Sequence, residues 1–197
     1  MRLVVEASHL QRVLSFVNGC IPNKSTLPIV QHVLLCASGS TLTARAMNVL
    51  REAEISCPAQ VEDSLLFTLP GKLLCALVSG FSSGAQVGFA RKTNNSIEMT
   101  CGTSKCTMRS FEPQDFPALK TYLGDAPISF DIDPKALVGL LSSVAYASEK
   151  DVQVRPDFYG VHLYAEGGKL IALGSDVARL SRREMDCPPG GEDMTAS

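Results

Sequence analysis

The sequence carries few of the features that announce a chemistry. It has no excess of either charge: 18 Lys and Arg stand against 20 Asp and Glu, a formal net charge of −2. That balance, with a pI near 5.9, excludes adhesion of the whole surface to nucleic acid but leaves room for a local basic stripe. Histidine is scarce, and His9, His32 and His162 are scattered; the last two sit in strand-like text, where satisfied structural histidines outnumber catalytic ones. No Cys/His/carboxylate cluster has metal-ligand spacing, no glycine-rich loop matches a phosphate cradle, and no G-x-S-x-G elbow is present. An enzyme is therefore not expected, nor a cofactor or bound metal.

Long apolar runs are missing too. The N-terminus, MRLVVEASHLQRVL, has no basic region followed by an uninterrupted apolar stretch, and no run approaches a membrane span, so the expected location is the cytoplasm. The seven cysteines include no C-x-x-C pair and lie mostly in apolar text such as VLLCAS and KLLCALV. That is the pattern of small core residues in a reducing compartment. With 197 residues, 45% of them hydrophobic, the chain can bury one generous core or two small ones.

Repetition is what the sequence does have. Shifted by 128 positions, residues 28–52 align with 156–180 without a gap, and nine of 25 pairs are identical, among them Val33/Val161, Leu35/Leu163, Gly39/Gly167, Leu42/Leu170 and Arg51/Arg179. Each copy reads as a β-hairpin, with alternating apolar text on both sides of a glycine turn. Asn48 and Asp176 share a repeat position, which points to a turn role. At an offset of 63, LLFTLPGKLLCALVSG (65–80) lies over ISFDIDPKALVGLLSS (128–143), a strand leading into an amphipathic helix. RLVVEASHLQRVLSFVNGC is a third such unit, with Leu10, Val13, Leu14 and Val17 on one face and Ser8 as its expected N-cap.

The unit of construction is thus strand, helix, then antiparallel strands. Two units fill residues 1–126 and end in FEPQDFPALKTYLGDAP, which has the composition of a linker. A third opens at Ile128, and CPPGGED (187–193) echoes CPAQVED (57–63), so a fourth should start near residue 191. The expectation is one complete domain, 1–126, and the first half of a second, 127–197. Half a domain leaves an open sheet edge and incomplete cover for Leu137, Leu140, Leu141 and Val144, which favours self-association or lower protection of that part.

This architecture, with TLPI (26–29), GTSKCTMRSFEPQDFP (102–117) and VRPDFYGV (154–161) in order, resembles the bacterial sliding clamp family, the β subunit of DNA polymerase III. The resemblance spans the whole chain. It implies an α+β clamp fold with sheet on one side and helices on the other, and a non-catalytic processivity factor that encircles duplex DNA without sequence readout. The implied partners are double-stranded DNA, DNA polymerase III and clamp-loader subunits, with a homodimeric ring in the full-length family that this shorter chain is not expected to close.

By the same resemblance, Lys24, Lys72 and Lys150 fall at DNA-side positions. Phe158, Ser175, Val177, Ala178, Arg179 and Leu180 match one wall of the family's partner-peptide groove. There the usual Thr-Asp-Gly-His-Arg-Leu is replaced by SDVARL: Val177 for Gly removes the freedom for positive φ, Ala178 for His deletes a hydrogen-bonding wall, and Arg179 and Leu180 stay as anchors. Thr103, Lys105, Cys106 and Met108 match the subunit seam. The alternative reading is a short stand-alone clamp-like protein that binds the clamp or its partners without encircling DNA.

Overall fold

The computed structural model describes residues 2–48, 51–92, 94–118, 130–151 and 153–190. The chain divides into two units, Met1–Lys120 and Thr121–Ser197. Both this division and the expected boundary at 126/127 fall within residues 119–129, outside the described residues.

The first unit opens with β1 (Arg2–Glu6), which runs directly into α1 (Ala7–Val17). Ala7, Leu10, Val13, Leu14 and Val17 recur at helical spacing and are the buried residues of α1. Ser8 is not the N-cap. Glu6 occupies that position without a side-chain cap, because the leading amides of Ala7 and Ser8 donate instead to the carbonyls of Ala85 (2.8 Å) and Ser83 (3.1 Å). The Ser8 hydroxyl donates to the Glu6 carboxylate.

Then come β2 (His32–Ser38), β3 (Thr41–Met47), β4 (Glu52–Pro58) and the short β5 (Gln60–Val61). The second repeat supplies β6 (Leu65–Pro70), α2 (Gly71–Ser79), β7 (Gln86–Lys92), β8 (Ser96–Cys101) and β9 (Ser104–Arg109). The two repeats exchange their leading strands. β6 joins the first repeat's strands in the order β4-β3-β2-β6, and β1 joins the second repeat's in the order β5-β1-β7-β8-β9. One core results, with Phe67 and Phe89 among its largest buried side chains and their ring centroids 5.7 Å apart.

The closing segment is not all linker. Phe116 is buried with Ile29 and Val30, against Leu34 and Met47, and the Arg45 guanidinium lies 5.6 Å over its ring. Thr68, fully buried, receives the Phe111 amide on its hydroxyl at 2.9 Å and donates its own amide to the Ser110 hydroxyl at 3.0 Å. Burying the Thr68 polar groups is tolerated because they are paired.

The second unit has α3 (Pro134–Ala145), with Pro134 in its first turn and the Asp133 carboxylate accepting the Ala136 amide at 3.1 Å. Its sheet is β10 (His162–Glu166), β11 (Lys169–Ser175) and β12 (Leu180–Asp186), in that order. β11 and β12 lie 128 residues after β3 and β4, and Gly39 and Gly167 turn the two hairpins with φ of 59° and 56°. The strand expected to open this unit is absent from its described part: residues 130–133 form no strand. In the first unit the leading strand pairs only with the neighbouring repeat, and no such repeat occurs among the described residues of the second. Residues 191–197, where the fourth repeat was expected to begin, lie outside the described residues.

Candidate partner groove, DNA face and seam

In the second unit a short helical turn, Pro156–Phe158, brings its aromatic ring to the end of β11 and the start of β12. A groove of about 370 Å³ opens there, lined by Phe158, Val161, His162, Leu173, Ser175 and Leu180. Leu180 is 71% exposed, a costly position for a large aliphatic side chain unless something covers it. Three of the six expected wall residues therefore meet in one groove. Val177 and Ala178 line a separate depression with Glu149, Val154, Arg155 and Asp176; the exposed Val154 was not singled out in the sequence.

The turn between β11 and β12 explains the split. The Asp176 carboxylate accepts the Arg179 amide at 2.8 Å and the Arg179 Nε at 2.9 Å. Hydrogen bonds from the Arg179 side chain, then from its backbone, hold the Asp176 carboxyl below its usual range, and the same pairing raises Arg179. Arg179 is thus occupied within its own turn rather than left as a free anchor. Asn48 does the same work in the first hairpin, its side-chain oxygen accepting the Arg51 amide at 2.9 Å.

Val177 overturns an expectation. It adopts φ 75° although it is β-branched, a conformation that costs on the order of 1–3 kcal/mol outside glycine. The loop imposes it: the Asp176 amide donates to the Arg179 carbonyl at 3.2 Å, and the Val177 amide to the Ser175 hydroxyl at 3.2 Å. Loss of glycine here left the turn intact and stored strain in it.

On the expected DNA side, Lys24 is exposed in the loop after Ile21, and Lys150 is exposed in the second unit. Lys72 is committed locally. Its ammonium donates to the Asn18 carbonyl (3.1 Å) and Asn18 Oδ1 (2.9 Å), at the C-terminal end of α1 where a cation is favoured. The helices carry a plainer signal that had not been singled out. α1, α2 and α3 contain Arg12, Lys72 and Lys135 and no Asp or Glu, while the chain as a whole is net −2. Carboxylates are thus kept off every helix, so the helical faces attract phosphate weakly and repel it nowhere.

His32 is also not the satisfied structural histidine expected. It is 8% exposed, its Nδ1 has no partner, and its ring packs on Phe111 at 4.6 Å. Burial pushes its pKa down, opposed by the Thr68 backbone.

The expected seam residues lie on β9 and the turn before it. β9 is the edge of its sheet, so one row of its backbone groups is open to another strand. Thr103 is exposed, Cys106 is half-buried, and Lys105 pairs with Glu98 at 2.8 Å. Met108 points the other way: only 4% exposed, it belongs to the core and can serve a seam only by holding β9 in place.

Two repeats that trade leading strands, helices free of carboxylates and an open edge strand define a clamp-type domain. The family described as DNA polymerase III beta subunit, N-terminal domain, matches residues 1–120, and the chain belongs to that family. The beta sliding clamp of Caulobacter vibrioides is 27% identical over 96% of this chain, and that of Synechococcus elongatus 28% over 92%. The chain spans about half the length of these curated relatives, 52% and 48%. Among solved structures, Caulobacter crescentus pol III beta superposes with a TM-score of 0.87 at 24% identity, covering 98% of this chain and 53% of that one. The DNA polymerase III subunit beta of Pseudomonas aeruginosa gives 0.85 at 20% identity, covering 100% and 52%. No described helix is long and apolar enough to cross a membrane.

Proposed function

We propose that the chain serves as a DNA polymerase processivity factor, or as the N-terminal part of one: a non-catalytic body that holds a polymerase at duplex DNA by topology rather than by base contacts. The observation that carries this reading is the likeness to beta sliding clamps along 96% of the chain, which extends beyond the first unit into the second. In this reading the acid-free helices face the duplex, with Lys24, Lys72 and Lys150 at its margin. The groove at Phe158, Ser175 and Leu180, with Val177, Ala178 and Arg179 beside it, takes the apolar tail of a polymerase or clamp-loader subunit. β9, with Thr103, Lys105, Cys106 and Met108, forms the seam.

Occupancy of the equivalent place in the first unit supports the groove assignment. Ile29, Val30, Leu34 and Met47 stand at the repeat positions of Asp157, Phe158, His162 and Ser175, and there Phe116 fills the space from the chain's own backbone. A socket that the chain plugs with an aromatic in one repeat is left open in the other.

Fluorescence anisotropy with a labelled C-terminal peptide of the replicative polymerase tests this. Saturable binding that Leu180→Glu abolishes is expected; no binding to the wild-type chain would refute the groove assignment. DNA binding should be weak and sequence-independent, with a log–log salt slope no steeper than about −3 for roughly three phosphate contacts. Tight, salt-insensitive binding to one sequence would overturn the reading. The scarcity of cationic side chains on the helices favours a second reading, in which a clamp-like body engages replication partners without encircling DNA; peptide binding with no measurable DNA binding would select it.

A further inference from the structure

We propose that the second unit is completed by a second copy of this chain, β10 of each copy receiving residues 130–133 of the other in an isologous two-fold arrangement. The inference rests on the repeats alone and is independent of the function proposed above.

The first unit supplies the rule. Neither of its repeats uses its own leading strand: β6 of the second repeat pairs with β2 of the first, Leu35 opposite Phe67, Val33 opposite Leu69 and Leu34 opposite Thr68. β1 of the first repeat pairs in turn with β7 of the second. The third repeat has both halves of this exchange and no partner for either among its described residues, since β10 pairs only with β11.

Carrying the register across by the two offsets places Leu163 opposite Phe130, Val161 opposite Ile132 and His162 opposite Asp131. The apolar pairs share one face and the polar pair takes the other, as a half-buried strand requires. A slip by one residue would put Phe130 against His162, so the pattern fixes the register.

Exposure localises the gap to the same place. Leu42 and Leu170 are equally buried, as are Ala44 and Ala172. Val33, Leu35 and Phe67 are fully buried, whereas their identical counterparts Val161, Leu163 and Phe130 are only half-buried. The uncovered apolar side chains are those that an exchanged strand covers in the first unit. Two-fold symmetry makes the exchange reciprocal, so a single contact type is formed twice and the assembly closes at two copies. Open strand edges are where such additions occur.

Sedimentation equilibrium of the 197-residue chain tests the proposal, with a concentration-dependent dimer expected. His162 and Asp131 are exposed, so altering them leaves the fold alone. His162→Glu sets like charges opposite each other at both contacts and should weaken the dimer about tenfold. The double variant H162E/D131K should restore it, and K105E on the β9 edge should leave it unchanged. A monomer at every concentration, including one whose β10 slot is filled from the same chain, overturns the proposal. So does a dimer indifferent to His162→Glu or dissolved by K105E.

Discussion

Leu35 and Leu163 occupy one position of one repeat, carry the same side chain and sit in hairpins of the same register. The first is fully buried and the second is not. Sequence and local geometry being equal, the difference comes from a strand laid along β2 by the neighbouring repeat, which β10 lacks among the described residues. Burial in this fold is therefore a property of the repeat pair, not of the repeat.

The comparison can be broken most severely by truncation. Leu35→Ala should cost roughly 2–5 kcal/mol, the range for removing a buried leucine side chain, whereas Leu163→Ala should cost about 1 kcal/mol because less surface is withdrawn from water there. Chemical denaturation monitored separately on each unit checks the ratio; equal costs would mean that β10 is covered. Next in size is Phe116→Ala, which empties the first unit's socket and should destabilise that unit by about 3 kcal/mol. If the two sockets are equivalent, the variant should also gain weak affinity for aromatic peptides, visible by anisotropy.

A smaller change sharpens the contrast between the paired hairpin turns. Val177→Gly relieves a β-branched residue from φ 75° and should stabilise the second unit by about 1 kcal/mol, read as a rise in its unfolding midpoint. The smallest effect is a pH dependence confined to the first unit. The folded pKa of His32 lies below its unfolded value of 6.5, so the unfolded chain binds the proton more readily. Stability contributed by neutral His32 is present above about pH 6.5 and falls as pH drops through that value towards the folded pKa. His32→Gln should flatten this slope between pH 7 and 5; an unchanged slope would assign it to another group.

Much of this fold was legible because repetition is a sequence property. The hairpins at 32–47 and 162–175, their glycine turns and the helices at 7–17, 71–79 and 134–145 all follow from aligned apolar periods. What could not be read were the partnerships between repeats. Ser8 resembled a cap because the carbonyls of Ser83 and Ala85, which occupy the leading amides of α1, are distant in sequence. Phe116 resembled linker text because its pocket is assembled from residues 29–47.

The site was legible to a lesser degree. Phe158, Ser175 and Leu180 converge as the family pattern implied, but Lys72, Arg179 and Met108 have local commitments that composition does not reveal. The absence of carboxylates from the helices was readable throughout. It needed only the helix boundaries to become visible.

The central claim, that one unit is complete and the other waits for a partner strand, is tested most directly by hydrogen exchange on residues 32–38 and 160–166 over a range of protein concentrations. The account predicts strong, concentration-independent protection of 32–38. It predicts exchange of 160–166 faster by about two orders of magnitude in dilute solution, slowing as the chain self-associates. Equal protection of the two segments in dilute solution would contradict it.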